Sequence, residues 1–382
     1  MTRIDAPFLM EPGPQAVCGM LTDAGYQAWY VGGCVRNALL GLPTTDLDLT
    51  TNARPETVMK LAEAAGLRAL PTGIDHGTVT VLVDGQPFEI TTFREDVETD
   101  GRHAVVRFSD DIAEDAARRD FTMNALYADP EGLLADPLGG LPDLQERRVR
   151  FIGEAEDRIL EDALRILRFF RFHAVYGDPA GGIDPDGLAA CAAHIDMIGN
   201  LSKERVGAEL IKLLSAADPG PALAAMAASG ALAAILPGAS SLAVPILVHI
   251  EDGAMLAPDP IRRLAALGGE GADSLRLSKA QMSQLARLRR GVEDGMGAAE
   301  LGYRYGATEA VDILALRAAL LGGDLSSVAT KDALFGAGQK CPVRAADLMP
   351  EVQGEALGKR LKEIEARWIA SGFALSKADL LR

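Results

Sequence analysis

The stretch YVGGCVRNALLGLPTTDLDLTT, residues 30–51, runs an apolar segment into Gly32-Gly33, then a short helical pattern, then a strand-like segment carrying Asp46 and Asp48. In a strand the side chains alternate faces, so positions i and i+2 share one and stand about 7 Å apart. Two carboxylates so placed repel each other, and an oxygen-seeking cation is the usual means of holding such a pair. Residues 24–33 read as the first strand and residues 34–40 as the helix. A strand that ends in glycines and feeds a helix leaves backbone N–H groups free for phosphate oxygens, and Arg36 adds a cation one turn in. Alone, such a motif is more often a tight turn with a surface arginine; beside an acidic pair it favours a phosphate-handling site.

Outward from that stretch, residues 54–66 (RPETVMKLAEAAG) have helical periodicity, with Pro55 at the start and Gly66 at the end. Residues 77–93 (GTVTVLVDGQPFEITTF) alternate on both sides of Asp84-Gly85, a strong hairpin signal. The sheet is therefore at least partly antiparallel, which disfavours a doubly wound parallel sheet. From residue 111 onward the pattern is helical: residues 110–129 read as one helix, residues 154–176 as a longer one, and no further strand alternation is evident. The expected class is α+β, a head with a mixed or antiparallel sheet followed by an all-helical remainder, with no 30 to 40 residue repeat of the solenoid kind.

At 382 residues the chain exceeds one usual domain. Its longest strongly apolar stretch, LAVPILVHI at residues 242–250, is too short to cross a bilayer and contains a proline, and the first residues lack a signal-peptide core. These features predict a cytoplasmic protein with no membrane contact. Cys18, Cys34, Cys191 and Cys341 form no C-x-x-C pair and have no histidines spaced for a zinc site, so they read as reduced, buried thiols. A net charge of −16 argues against nonspecific coating of nucleic acid but leaves room for a local basic groove.

GGCVRN with DLDL, RRDFTMNAL at residues 118–126, EDALRILRFFRF at 161–172 and LSKERVGAEL at 201–210 together resemble, in order and spacing, the class II tRNA nucleotidyltransferase and bacterial poly(A) polymerase superfamily. The resemblance covers about residues 24–215. It implies a nucleotidyltransferase head similar to DNA polymerase beta (1–150), a helical neck for base recognition (151–225) and a helical body and tail for tRNA (226–382). It further implies Mg²⁺ held by Asp46 and Asp48, with Glu89 on the hairpin as a possible third carboxylate that reads equally well as an exposed strand glutamate. Gly33 and Arg36 would bind nucleotide, and Arg119 would contact the incoming one, with Asp120 and Asn124 shaping the ribose side. Asn37 departs from the aspartate usual after the motif arginine, for which a modest effect on loop geometry is expected.

Template-free choice of base has a chemical rationale in the third motif. Asp162 and Arg165 lie three apart, on one face if the helix is continuous. A carboxylate accepts from the exocyclic amine of cytosine or adenine while a guanidinium donates to the adjacent ring nitrogen, and uracil or guanine would set a carbonyl against the carboxylate. At about 100° per residue, Arg168 lies about 120° and Arg171 about 180° from Asp162, so these two suit phosphate, primer or packing.

The function so implied is CCA addition to tRNA from CTP and ATP. A poly(A) polymerase is the nearest alternative, but residues 67–81 lack the paired arginines of the G-R-R-F-type stretch of that branch. CC-only addition is disfavoured by residues 93–111, which look like the full polar loop; A-only addition stays open. A non-catalytic RNA-binding protein would be free to lose the acidic pair and the arginines that this chain retains together. None of the five histidines is followed by aspartate, so no His-Asp phosphohydrolase activity is expected.

Overall fold

The structure, a computed structural model, describes residues 2–44, 46–99 and 104–382. Contacts divide the chain into two compact units, Met1–Leu213 with Pro221–Pro237, and Leu214–Gly220 with Gly238–Arg382. Among the described residues no helix is long and apolar enough to cross a membrane.

The first unit opens with α1 (Pro12–Thr22), β1 (Trp29–Val31), α2 (Gly33–Leu40), β2 (Asp48–Thr51), α3 (Pro55–Ala64), β3 (Arg68–Gly73), β4 (Thr78–Val83) and β5 (Gln86–Thr92). It continues with β6 (Arg94–Thr99), β7 (Ala104–Phe108), α4 (Ile112–Ala117), β8 (Tyr127–Ala128) and β9 (Leu134–Ala135). The main sheet has the order β3-β4-β5-β2-β1-β8-β9; β2 and β5 run parallel and every other neighbouring pair is antiparallel. The head is thus the mixed sheet expected. Asp84 and Gly85 both have positive φ, 52° and 84°, the conformation of a two-residue turn whose twist suits a hairpin. Val79, Val81, Phe88 and Ile90 are buried, and α1 and α3 pack over the β3-β4-β5 side with Val17, Leu21, Val58 and Ala62.

Helices α5 (Leu141–Gln145), α6 (Ala155–Glu161), α7 (Leu164–Tyr176), α8 (Pro185–Ala193), α9 (Lys203–Leu214), α10 (Gly220–Ser229) and α11 (Ala231–Ile235) follow. Phe121 and Phe151 are joined by an isolated bridge, and their rings pack with Phe169 and Phe172 of α7 at centroid distances of 4.8–6.4 Å. This aromatic stack fastens the end of the head to α7, and its four rings are all buried.

The second unit carries α12 (Ala243–Gly253), α13 (Pro260–Leu267), α14 (Lys279–Glu293), α15 (Ala298–Tyr305), α16 (Ala307–Leu320), α17 (Ser327–Ala337), α18 (Gly354–Ala370) and α19 (Lys377–Leu381). Its centre holds a charged cluster: Glu251 accepts from Arg262 and Arg263, Arg262 also reaches Asp312 at 2.5 Å, and Arg263 donates to the Leu214 carbonyl at 2.7 Å. All four side chains are nearly inaccessible, so each charge needs the partners it has.

Several expectations from sequence are corrected here. Residues 110–129 are not one helix: α4 ends at Ala117, Thr122–Asn124 form a 3-10 turn, and β8 begins at Tyr127. Strands β8 and β9 lie beyond residue 111, and β3 follows α3. Residues 154–176 are two helices, because Asp162 is extended at φ −150° and ψ 106°. The first strand is confined to Trp29–Val31, and β2 begins at Asp48, so Asp46 precedes the strand. Residues 93–111 hold the β6-β7 pair, while residues 100–103, which include part of the expected loop, lie outside the described residues.

Candidate active site

Gly32 and Gly33 turn the chain from β1 into α2, which packs against β1 and the Thr122–Asn124 turn. Gly32 has φ +70° and ψ −117°, a region closed to L side chains, and a Cβ there would lie 3.4 Å from Arg119 Nη1. The glycine turn and Arg119 are therefore neighbours. Asp48 pairs in register with Glu89 across the parallel β2-β5 ladder, which sets the two carboxylates on the same face about 4.8 Å apart at the backbone. Although Asp48 is open to solvent, partial desolvation by the surrounding head raises its pKa; Arg119 opposes that rise, and Glu89 and Asp46 add to it by repulsion. Asp46, Asp48, Glu89, Arg119 and Gly32 thus form one electrostatic neighbourhood.

Arg36 is no surface arginine: it is 6% exposed. It donates to Asn124 Oδ1 at 2.5 Å, to Asn37 Oδ1 at 2.9 Å and to the Tyr176 hydroxyl at 2.7 Å, and it lies 3.9 Å over the Tyr176 ring. Asn37 in turn donates from Nδ2 to the Pro43 carbonyl at 2.7 Å. An amide can accept from Arg36 and donate to Pro43 at once, which an ionised aspartate cannot. The residue that departs from the superfamily pattern therefore staples the loop leading to Asp46.

Arg119 is held from behind. Asp115, fully buried, accepts from Arg119 at 3.0 Å, from Arg118 at 2.8 Å and from the Tyr127 hydroxyl at 2.8 Å. Burial would raise the Asp115 pKa, but Arg119 and Arg118, then Tyr127, outweigh it and hold the carboxyl below the usual range. Asp120 accepts from Asn124 Nδ2 at 2.8 Å and from Arg168 at 2.6–2.7 Å, linking the 3-10 turn to α7.

The third motif is arranged differently from the sequence expectation. With the helix broken, Asp162 and Arg165 are not i and i+3 of one helix. Asp162 Oδ1 accepts from the Leu164 N–H at 3.0 Å, and Oδ2 from Arg205 Nη2 of α9 at 2.6 Å. Arg165 pairs with Glu161 and donates to the carbonyls of Arg158 and Arg118 at 3.0 Å. Arg171 pairs with Glu209 of α9 and lies 4.5 Å from the Phe172 ring centre. Asp115, Tyr176, Glu161, Glu209 and Arg205 were not singled out from the sequence. LSKERVGAEL was the one signal pointing to Arg205 and Glu209, and Glu161 opens the quoted EDALRILRFFRF motif; Asp115 and Tyr176 sit inside acidic or apolar runs with no local mark.

Residues 28–150 match the family described as the poly A polymerase head domain, and residues 182–242 the one described as a probable RNA and SrmB-binding site of polymerase A. The head and the helical segment that follows α7 are thus each similar to a domain of the class II CCA-adding enzyme and poly(A) polymerase superfamily. Among relatives, the human mitochondrial CCA tRNA nucleotidyltransferase 1 is 40% identical over 207 residues, 54% of this chain and 48% of that one. The CCA-adding enzyme of Oceanobacillus iheyensis is 42% identical over 212 residues, 55% of this chain and 50% of that one. The chain spans about half the length of the curated relatives it matches. Among solved structures, that of the Bacillus stearothermophilus CCA-adding enzyme in complex with CTP superposes with a TM-score of 0.70 and 27% identity, covering 95% of this chain and 94% of that one.

The acidic set fits the kind of metal this superfamily implies. Its donors are oxygens only, which suit a hard divalent cation, and the mutual repulsion at Asp48 is what such a cation would relieve. Among the described residues, no three or more His, Cys, Asp or Glu side chains are already gathered as a ligand cluster. The buried thiols take no part: burial raises Cys18 and Cys34 to about 11, beyond the range of a reactive thiolate.

Proposed function

We propose that this chain is a CCA-adding tRNA nucleotidyltransferase that extends the tRNA 3′ end from CTP and ATP without a nucleic acid template. The observation that carries the proposal is the meeting of Asp48, its register partner Glu89 and Arg119 beside the glycine turn of α2. The superposition on a CTP complex over nearly the whole of both chains supports the choice of substrate. On this proposal the head is residues 1–150, the base-recognising neck 151–225, and the tRNA-binding body and tail 226–382, and the enzyme works in the cytoplasm.

In the mechanism, the primer 3′ oxygen attacks the α-phosphorus of the nucleotide and the bond to the β-phosphate breaks, releasing pyrophosphate. Asp46 and Asp48, with Glu89 beside them, would hold Mg²⁺, which when bound offsets charge on the phosphates and lowers the pKa of the attacking hydroxyl. The N–H groups at the start of α2, Gly33 foremost, face phosphate oxygens, and Arg119 supplies a cation whose direction Asp115 sets. Arg36 keeps α2 in place through Asn124 and Tyr176. Asp162 and Arg165 read the base, and Arg168 and Arg171 serve the phosphate or primer side.

Replacement of Asp46 or Asp48 by alanine is expected to abolish nucleotide addition while circular dichroism and tRNA binding stay near wild type, since a carboxylate pair without metal repels and does not hold the fold. A wild-type rate for either variant in saturating Mg²⁺ would contradict the assignment.

A further inference from the structure

The arginines of α7 are each committed before any nucleotide arrives: Arg165 to Glu161, Arg168 to Asp120 and Arg171 to Glu209. Asp162 takes its cationic partner from another helix. It lies between α6 and α7 with extended backbone, so helix geometry does not fix its side chain; two contacts do. Leu164 N–H holds Oδ1, and Arg205 Nη2 holds Oδ2 at 2.6 Å. Four residues after Arg205 on the same face of α9, Glu209 receives Arg171, so α9 docks on the α6-α7 junction through two pairs of opposite polarity.

We infer that Arg205 is the positioning residue for base selection, holding the Asp162 carboxylate in the orientation in which it accepts the exocyclic amine of CTP or ATP. The inference rests on the base-reading role proposed above for Asp162. A carboxylate oxygen has two lone-pair directions, so Oδ2 can keep Arg205 on one and receive an amine on the other. With Arg205 removed, Oδ1 stays tied to the backbone while Oδ2 is free to turn toward water. The carboxylate then penalises a uracil or guanine carbonyl less consistently, so selectivity falls while chemistry at Asp46 and Asp48 is untouched.

The test is single-turnover incorporation of CTP and UTP onto one tRNA primer by wild type, Asp162→Ala, Arg205→Ala and the double variant. Asp162→Ala is expected to lower the CTP:UTP ratio by about ten- to a hundredfold, the worth of a charge-assisted hydrogen bond. Arg205→Ala should lower it by about two- to fivefold, as fits a partly exposed pair. The double variant should lose no more than Asp162→Ala alone, because Arg205 acts through Asp162. Arg205→Lys should recover part of the ratio, as a point charge without the planar fork. Should Arg205→Ala lower the thermal midpoint, Arg205→Gln and Arg205→Lys give the same comparison with the side-chain stem kept. An unchanged ratio in the Arg205 variants while Asp162→Ala relaxes it, or additive losses in the double variant, would overturn the inference. An unchanged ratio in Asp162→Ala would instead overturn the base-reading role and the inference with it.

Discussion

At the scale of single residues, the site depends on charges that are held by buried partners rather than by one another. Asp115 is the clearest case: it is fully buried, yet it orients Arg119, the residue proposed to meet the nucleotide. Its folded-state carboxyl lies below the ordinary value of 3.8, so its stabilisation is present above that value and is lost as pH falls through 3.8 toward the lower folded one. Asp115→Asn should therefore cost about 3 kcal/mol at pH 7, by leaving Arg118 and Arg119 without their counter-charge, and should flatten the fall in thermal midpoint between pH 5 and 3. Thermal melts of both proteins across that range check it; parallel curves would show that Asp115 does not carry the acid sensitivity. Residues with a local chemical mark, Gly32-Gly33 and the aspartates, were legible in the sequence. Asp115 and Tyr176 were not, because a buried acid in an acidic helix and a tyrosine ending an apolar one look ordinary until the fold brings Arg119 and Arg36 to them.

At the scale of elements, legibility followed how local the cause was. The β4-β5 hairpin was readable because Asp84-Gly85 takes positive φ within the turn itself. The break at Asp162 was hidden because Ile159, Leu164, Ile166 and Leu167 continue a helical apolar rhythm across it, while the forces that hold the extended residue come from Leu164 N–H and distant Arg205. Strands β8 and β9 are two residues each, too short to show alternation. Helix contacts in the second unit give a paired prediction. Where α15 and α17 cross, a Cβ on Gly336 would overlap the Ala299 carbonyl, whereas a Cβ on Gly358 within α18 would meet nothing within 4 Å. Gly336→Ala should destabilise by about 1–3 kcal/mol through overpacking, and Gly358→Ala should stabilise by up to about 1 kcal/mol through helix propensity. Denaturant midpoints of the two variants decide it, and shifts of the same sign would contradict the packing described.

At the scale of the whole molecule, the proposed function requires a chain of net charge −16 to bind a polyanion through local basic surface. RRVR at 147–150, LARLRR at 285–290 and KRLK at 359–362 are the candidates. Several of their cations are turned inward or paired: Arg150 with Asp143, Arg287 with Glu309 and Arg289 with the Gly268 carbonyl. Arg147, Arg290, Lys359 and Lys362 have exposed side chains. tRNA affinity should fall steeply with salt, by about 0.7–0.9 in log K per log salt for each phosphate contact made. A filter-binding titration from 50 to 200 mM salt measures the slope, and an affinity that does not change would rule out phosphate contacts as the grip.

The central claim is that one site adds C, C and then A without a template. The most direct test is to incubate the purified chain with Mg²⁺ and tRNAs ending in the discriminator base, in C and in CC, each with labelled CTP, ATP, UTP or GTP. The account predicts CMP on the first two ends, AMP on the end already carrying CC, and no sustained use of UTP or GTP. Long AMP tails would make the chain a poly(A) polymerase, AMP on CC alone an A-adding enzyme, and no incorporation at all an RNA-binding protein; each of these would contradict the account.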